Sequence, residues 1–184
     1  MKEHMKEAYE LCLQETSADP IAILNKLMDL PFCRMHGPEH HVLVGAALLT
    51  AYRNAGGELS VPDALAELYK RASAVPGAAC GYWGACGAGI STGQYFSIVT
   101  GSNPLAGEVW GKCMAMTSKA LSCMAEVGGP RCCKRDSYLS VLAAVDHTAQ
   151  QLGIQMEKTT PICSRSSQNL QCIGPRCPFY GGNA

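Results

Sequence analysis

Strong charge of either sign is missing from this chain. Lys and Arg number 15, Asp and Glu number 15, and charged residues make up only 16% of the sequence. With no basic face to offer, neither nucleic acid nor an anionic membrane surface is expected as a partner. Long apolar runs are missing too. The longest, Val42 to Thr50, contains a glycine and falls well short of the roughly 20 residues needed to cross a bilayer. The N-terminal stretch MKEHMKEAYELCLQET carries acids throughout and has no apolar core of a secretory signal, so a cytoplasmic protein is expected.

Several catalytic signatures are absent as well. Gly87-Ala88-Gly89 is a fragment of a dinucleotide fingerprint, but Thr92 stands at the third glycine and no strand precedes it. No Lys-Ser/Thr pair follows a glycine-rich loop, which excludes a Walker-type phosphate site. No Ser/His/Asp arrangement stands out, and Asp63, Glu67, Glu108 and Glu126 fall at helix starts or on polar faces. Paired glycosidase carboxylates are therefore not in evidence.

What the chain does have is a large apolar fraction, 47% over 184 residues, enough for one domain with a real core. Helical spacing dominates. Met5, Ala8, Tyr9 and Cys12 fall at i, i+3, i+4 and i+7 in a helix over residues 2–16. Asp19-Pro20 reads as an N-cap with Pro at N1, opening a helix to Leu30. Further helices are expected from Pro38 to Asn54 and from a capping box at Ser60–Asp63 to about Ala74. Others should run from near Gly89 to Thr100, from Pro104 to Val127 and from Asp136 to Leu152. The fold class is all-α, a single domain over 1–184 of about seven helices. There is room for one short strand over 153–160, and a Cys-rich irregular tail covers 161–184.

The anomaly is eleven cysteines. In a chain without an export signal, and with an odd count, ligands or nucleophiles are expected rather than disulfides. Cys12, Cys113 and Cys123 sit inside helical patterns and read as small core residues. The other eight lie at loops or helix ends: Cys33, Cys80, Cys86, Cys132, Cys133, Cys163, Cys172 and Cys177. Turns let several thiolates converge, and ligation would fasten a tail that burial alone holds poorly. The tail spacing C-x8-C-x4-C is no standard zinc knuckle. Its Cys177-Pro178 ending matches the last ligand of bacterial ferredoxins, without their upstream C-x2-C-x2-C run.

Cys86 has a second reading. Before a helix starting near Gly87–Gly89, its thiol pKa would fall, making it a candidate nucleophile. Alternatively the glycines there only let two helices pack closely. Of the adjacent pair Cys132-Cys133, one thiol is expected to ligate and the other to pack, with a vicinal disulfide as the alternative. Cys33-x2-His36-x3-His40, with Glu39 between, has metal-ligand spacing, and His36 and His40 are also candidate proton carriers. His147 reads as structural and His4 as solvated.

Four blocks, PFCRMHGPEHHVLVGAALL, VPGAACGYWGACGAGISTG, GGPRCCKRDSYL and CIGPRCPF, resemble an uncharacterised prokaryotic domain family. Its members occur alone or near methyltransferase and radical-SAM genes in anaerobes. The resemblance implies an anaerobic setting in which oxygen-sensitive clusters survive, and a small-molecule substrate or a methyltransferase or redox partner protein. It supplies no activity, and the chain lacks both the radical-SAM C-x3-C-x2-C triplet and a methyltransferase glycine motif. Three functions stay open on these grounds. The first is an iron–sulfur protein with its cofactor on Cys80, Cys132, Cys163, Cys172 and Cys177, joined by Cys86, Cys133, Cys33 and His36. The second is a zinc protein on part of the same set, and the third a metal-free thiol enzyme using Cys86.

Overall fold

The computed structural model describes residues 4–182, and the His4 side chain lies outside what is described. Eight α-helices follow one another: α1 (His4–Gln14), α2 (Pro20–Met28), α3 (His40–Asn54), α4 (Val61–Ala72), α5 (Ala79–Tyr82), α6 (Gly87–Thr100), α7 (Glu108–Val127) and α8 (Cys133–Leu152). Two 3₁₀ turns, Ser166–Gln168 and Gly174–Arg176, punctuate an otherwise irregular tail. Among the described residues there is no strand. Residues 153–160 form no regular element, though the Glu157 N–H donates to the Ala18 carbonyl, and the tail adds one isolated bridge, Cys163 to Tyr180.

Helix α3 is the axis of the molecule. Every side chain from His40 to Tyr52 is buried, and α1, α2, α4, α6 and α8 all pack on it. A helix covered on all sides needs small residues wherever a neighbour comes close, and α3 and α6 supply them. Gly45 N–H donates to Ser91 Oγ at 2.9 Å across the α3–α6 contact. A Cβ on Gly45 would meet Leu68 Cδ1 at 2.6 Å and Ser91 Oγ at 2.8 Å. Alanine is the better helix former by about 1 kcal/mol, but the overpacking it causes here costs about 1–3 kcal/mol. Gly45→Ala is therefore expected to lower the thermal midpoint; an unchanged or raised midpoint would show that α4 and α6 can recede freely.

The caps follow the sequence where a side chain can reach the backbone. Asp19 Oδ1 accepts Ile21 N–H at 2.9 Å, with Pro20 in the first turn. At Ser60 the expected capping box does not form, because the Ser60 hydroxyl donates to Asp63 Oδ2 at 2.6 Å instead of accepting from the helix. Helix α7 begins at Glu108 rather than Pro104. Asn103 Oδ1 accepts Leu105 N–H at 2.8 Å and its carbonyl accepts Ala106 N–H, which closes a turn there, and Gly107 (φ 58°) then redirects the chain. Helix α8 begins three residues earlier than Asp136. Arg135 donates back to the Gly128 and Pro130 carbonyls at 2.9 and 3.0 Å, pinning the first turn onto the loop before it. Cys132 thereby becomes the N-cap and Cys133 the first helical residue. Helix α7 is the least covered of the long helices, with only Met116 and Ala120 buried, so Cys113 and Cys123 are half-buried rather than core; Cys12 is fully buried.

Candidate metal centre

The tail folds back onto the start of α8. Arg165 holds it there: its guanidinium donates to Tyr138 Oη at 3.1 Å, to the Asn25 carbonyl at 3.4 Å and to Asp29. Phe179 stacks edge-on to Tyr138, with centroids 5.4 Å apart, and Cys163 N–H donates to the Phe179 carbonyl at 2.8 Å. The result is a small cavity lined by Cys132 from the α8 N-cap and by Cys163, Cys172 and Cys177 from the tail. A water centre can range over about 20 Å³ of it, which is a hollow roughly 3 Å in radius once the radius of water is added.

The sulfurs of this cavity share a backbone pattern. Arg165 N–H donates to Cys163 Sγ and Gly174 N–H to Cys172 Sγ, both at 3.4 Å. Phe179 N–H serves Cys177, and the Lys134 and Arg135 N–H groups serve Cys132. In each case the amide two residues on points at the sulfur. An amide aimed at sulfur favours the thiolate, whereas burial raises the Cys132 and Cys177 thiols. Asn169 closes the ring, its Nδ2 donating to Cys132 Sγ at 3.5 Å.

A second group of cysteines faces the other way. Cys80 from α5, Cys86 from the α6 N-cap and Cys133 from α8 line a cavity of about 160 Å³ together with His36. It continues through Cys80, Cys86, Arg131 and Asp136 into an open cleft of about 620 Å³. The two thiols of the adjacent pair thus serve opposite cavities. No disulfide joins them, and all eleven cysteines are free. Cys86 Sγ takes the Ala88 and Gly89 N–H groups, yet burial pushes its thiol up to about 12, where the helix N-terminus alone would lower it. Cys133 is likewise held up at about 11 by burial, with Gly37 N–H working against it. The glycines here serve close packing: a Cβ on Gly87 would lie 2.3 Å from the His41 ring, and one on Gly93 2.1 Å from Thr117 Oγ1.

The Cys33-x2-His36-x3-His40 spacing does not converge as its linear pattern suggests. Cys33, Glu39 and His40 do come together, with donor atoms within 4.8 Å of one another. His36 turns away, and its Nε2 lies 3.1 Å from Asn169 Oδ1. Two of the three converging donors are also engaged. Arg34 grips both Glu39 oxygens, at 3.1 Å through Nε and 2.9 Å through Nη2, and Lys134 Nζ sits 3.2 Å from Cys33 Sγ. His40 Nδ1–H donates to the Gly37 carbonyl at 2.9 Å, which aims the Nε2 lone pair at Cys33 Sγ, 3.7 Å away. With a lysine amine already on the sulfur, this is a poor seat for a metal ion and a good one for a hydrogen-bonded thiol. His147 is bonded to the Lys112 carbonyl at 3.1 Å and stacks edge-on against Phe96, with its Nδ1 buried and without a hydrogen-bond partner.

This corner also sets an acid limit. Burial alone would raise the Glu39 carboxyl, but Arg34 and two backbone amides hold it at about 2. Burial first, then Lys134, lowers His40 to about 4. Both folded pKa values lie below those of the unfolded chain, so the unfolded state takes up protons first. Stability should fall from about pH 6.5 to pH 4 through His40, and from about pH 4.5 towards pH 2 through Glu39. Urea midpoints from pH 7 to pH 3 test this, and Glu39→Gln should flatten the lower part; a wild-type profile level across the range would refute it.

Lys134, Asn169, Arg165 and Tyr138 escaped the sequence reading. A lysine among cations at a helix start looks solvated, yet Lys134 is 2% exposed. Nothing in the linear pattern marks Asn169, whose value is to join His36, 133 positions away, to Cys132. A family model described as a family of unknown function (DUF5714) matches residues 8–180. No curated protein and no solved structure matches the chain. No helix among the described residues is long and apolar enough to cross a membrane.

Proposed function

The chain belongs to this family of unknown function, and we propose that it is an iron–sulfur protein whose tail cysteines fasten a cluster against the start of α8. The observation that carries the reading is the cavity of Cys132, Cys163, Cys172 and Cys177, each sulfur met by the amide two residues ahead. Four thiolates are the usual complement of a cubane, and amide bonds to the sulfurs tune such clusters.

Spacing favours a cluster over a single zinc ion. Tetrahedral zinc with bonds of about 2.3 Å draws its sulfurs to within about 4 Å of one another. Among the described residues, only Cys33, Glu39 and His40 group three donors within 4.8 Å, so the four tail sulfurs are spread more widely than one ion requires. A multi-iron cluster spans a wider gap between its thiolates than one ion does. The metal-free alternative at Cys86 is weakened by burial, which leaves that thiol protonated at neutral pH.

When bound, the cluster would supply one-electron or Lewis-acid chemistry. The chain's own residues do the holding: Arg165 and Phe179 position the tail, and Asn169 orients Cys132. Protein purified without oxygen should be brown and contain iron and acid-labile sulfide. A colourless preparation holding zinc in stoichiometric amount, or no metal at all, would overturn the proposal.

A further inference from the structure

His36 carries an unexplained atom. Asn169 Oδ1 accepts Gln171 N–H at 2.9 Å, which fixes the amide with its oxygen towards His36. The His36 Nε2, 3.1 Å from that oxygen, must therefore be the protonated nitrogen. The His36 Nδ1 is buried without a hydrogen-bond partner. His36 lines the same cavity as Cys80, Cys86 and Cys133. A histidine that gives its far N–H to a carbonyl oxygen has its tautomer and ring orientation fixed, as those of metal-ligating histidines are.

We infer that Cys80, Cys86, Cys133 and His36 form a second iron–sulfur site, at the floor of the open cleft and separate from the tail site. The inference shares the reading that loop thiolates of this chain hold clusters, but it stands on different residues. Three sulfurs arrive from three elements, α5, α6 and α8, and two of them are served by backbone amides, Cys86 by Ala88 and Gly89 and Cys133 by Gly37. The cavity, at about 160 Å³, is far larger than one ion requires.

The two sites meet at one peptide bond, since Cys132 belongs to the tail site and Cys133 to this one. Consecutive Cα atoms are about 3.8 Å apart, so the cofactors would be close neighbours. Asn169 links them as well, with its Nδ2 on Cys132 and its Oδ1 on His36. The second site opens into the broad cleft through Arg131 and Asp136. A neutral imidazole is a more easily displaced ligand than a thiolate and raises a cluster's potential. Of the two clusters, the one bearing His36 is thus the one a small molecule in the cleft could reach.

The test is iron and sulfide content after anaerobic reconstitution with ferrous iron and sulfide, read beside the EPR spectrum of the dithionite-reduced protein. Wild type should hold about eight irons as two cubanes. Cys80→Ser/Cys86→Ser should drop to about four and keep the tail signal, and Cys163→Ser/Cys177→Ser should drop to about four and keep the other. His36→Ala should hold its iron but change the spectrum and midpoint potential of one cluster only. About four irons in wild type, unaffected by Cys80→Ser/Cys86→Ser, would overturn the second site and leave the tail site standing. About four irons unaffected by Cys163→Ser/Cys177→Ser would do the reverse, and no iron in wild type would overturn both. Where a variant fails to fold, a wild-type count of about four still overturns the presence of two cubanes.

Discussion

Cys177→Ser is expected to free the tail, raising the rate of tryptic cleavage after Arg165 and Arg176 at least tenfold while the helices stay intact. The tail from 161 to 182 contributes few apolar side chains to the core. Phe179 is buried, Leu170 and Ile162 are exposed, and the remaining anchors are the hydrogen bonds of Arg165 and Asn169. A segment so weakly buried pays its ordering entropy from something else, and metal ligation is the available source because binding energy is folding energy for such segments. Proteolysis of a reversibly opening segment follows the open population, so a tenfold rise reports a loss of about 1.4 kcal/mol in local closure. Helical circular dichroism should change little, since α1 to α8 do not depend on the tail for their packing. Chelation of iron in wild type should reproduce the effect, and equal cleavage rates in wild type, chelated protein and variant would show that packing alone holds the tail.

The helices were legible because their evidence is local. Asp19-Pro20, the periodic apolar sets of α1 and α2, and the glycine after Leu152 each act within a turn or two of the residue that carries the signal. The failures have the same origin seen from outside. At Ser60 and Asn103 a side chain chose a different near neighbour from the one expected, and a side chain's choice among neighbours is not encoded in spacing. The site was legible as a set and illegible as a geometry. Sorting by loops and helix ends selected the cysteines that line the two cavities, but that sorting cannot say that Cys132 and Cys133 face apart. Their separation follows from Arg135 starting α8 early. Likewise the C-x2-H-x3-H spacing grouped His36 with Cys33, where the fold gives His36 to Asn169, a residue 133 positions away.

Cys33→Ala is expected to destabilise the chain by about 1–3 kcal/mol without removing any iron. Cys33 Sγ is the acceptor of Lys134 Nζ at 3.2 Å and the neighbour of His40 Nε2 at 3.7 Å, and both partners are almost fully buried. Alanine removes the partner of the Lys134 amine and of His40 Nε2, although His40 Nδ1 keeps the Gly37 carbonyl, and an orphaned buried donor costs its whole desolvation penalty. For a domain of this size each kcal/mol lowers the thermal midpoint by roughly 2 to 4 °C. Lys134→Met should cost less, since methionine fills the same channel and asks for no hydrogen bond. In the double variant the lysine is no longer stranded, so the combined loss should fall short of the sum of the singles by about 1 kcal/mol or more. Additive losses would show that the amine and the sulfur do not interact. Loss of iron in Cys33→Ala would instead make this sulfur a ligand, and Lys134 would then have to move aside to admit the metal.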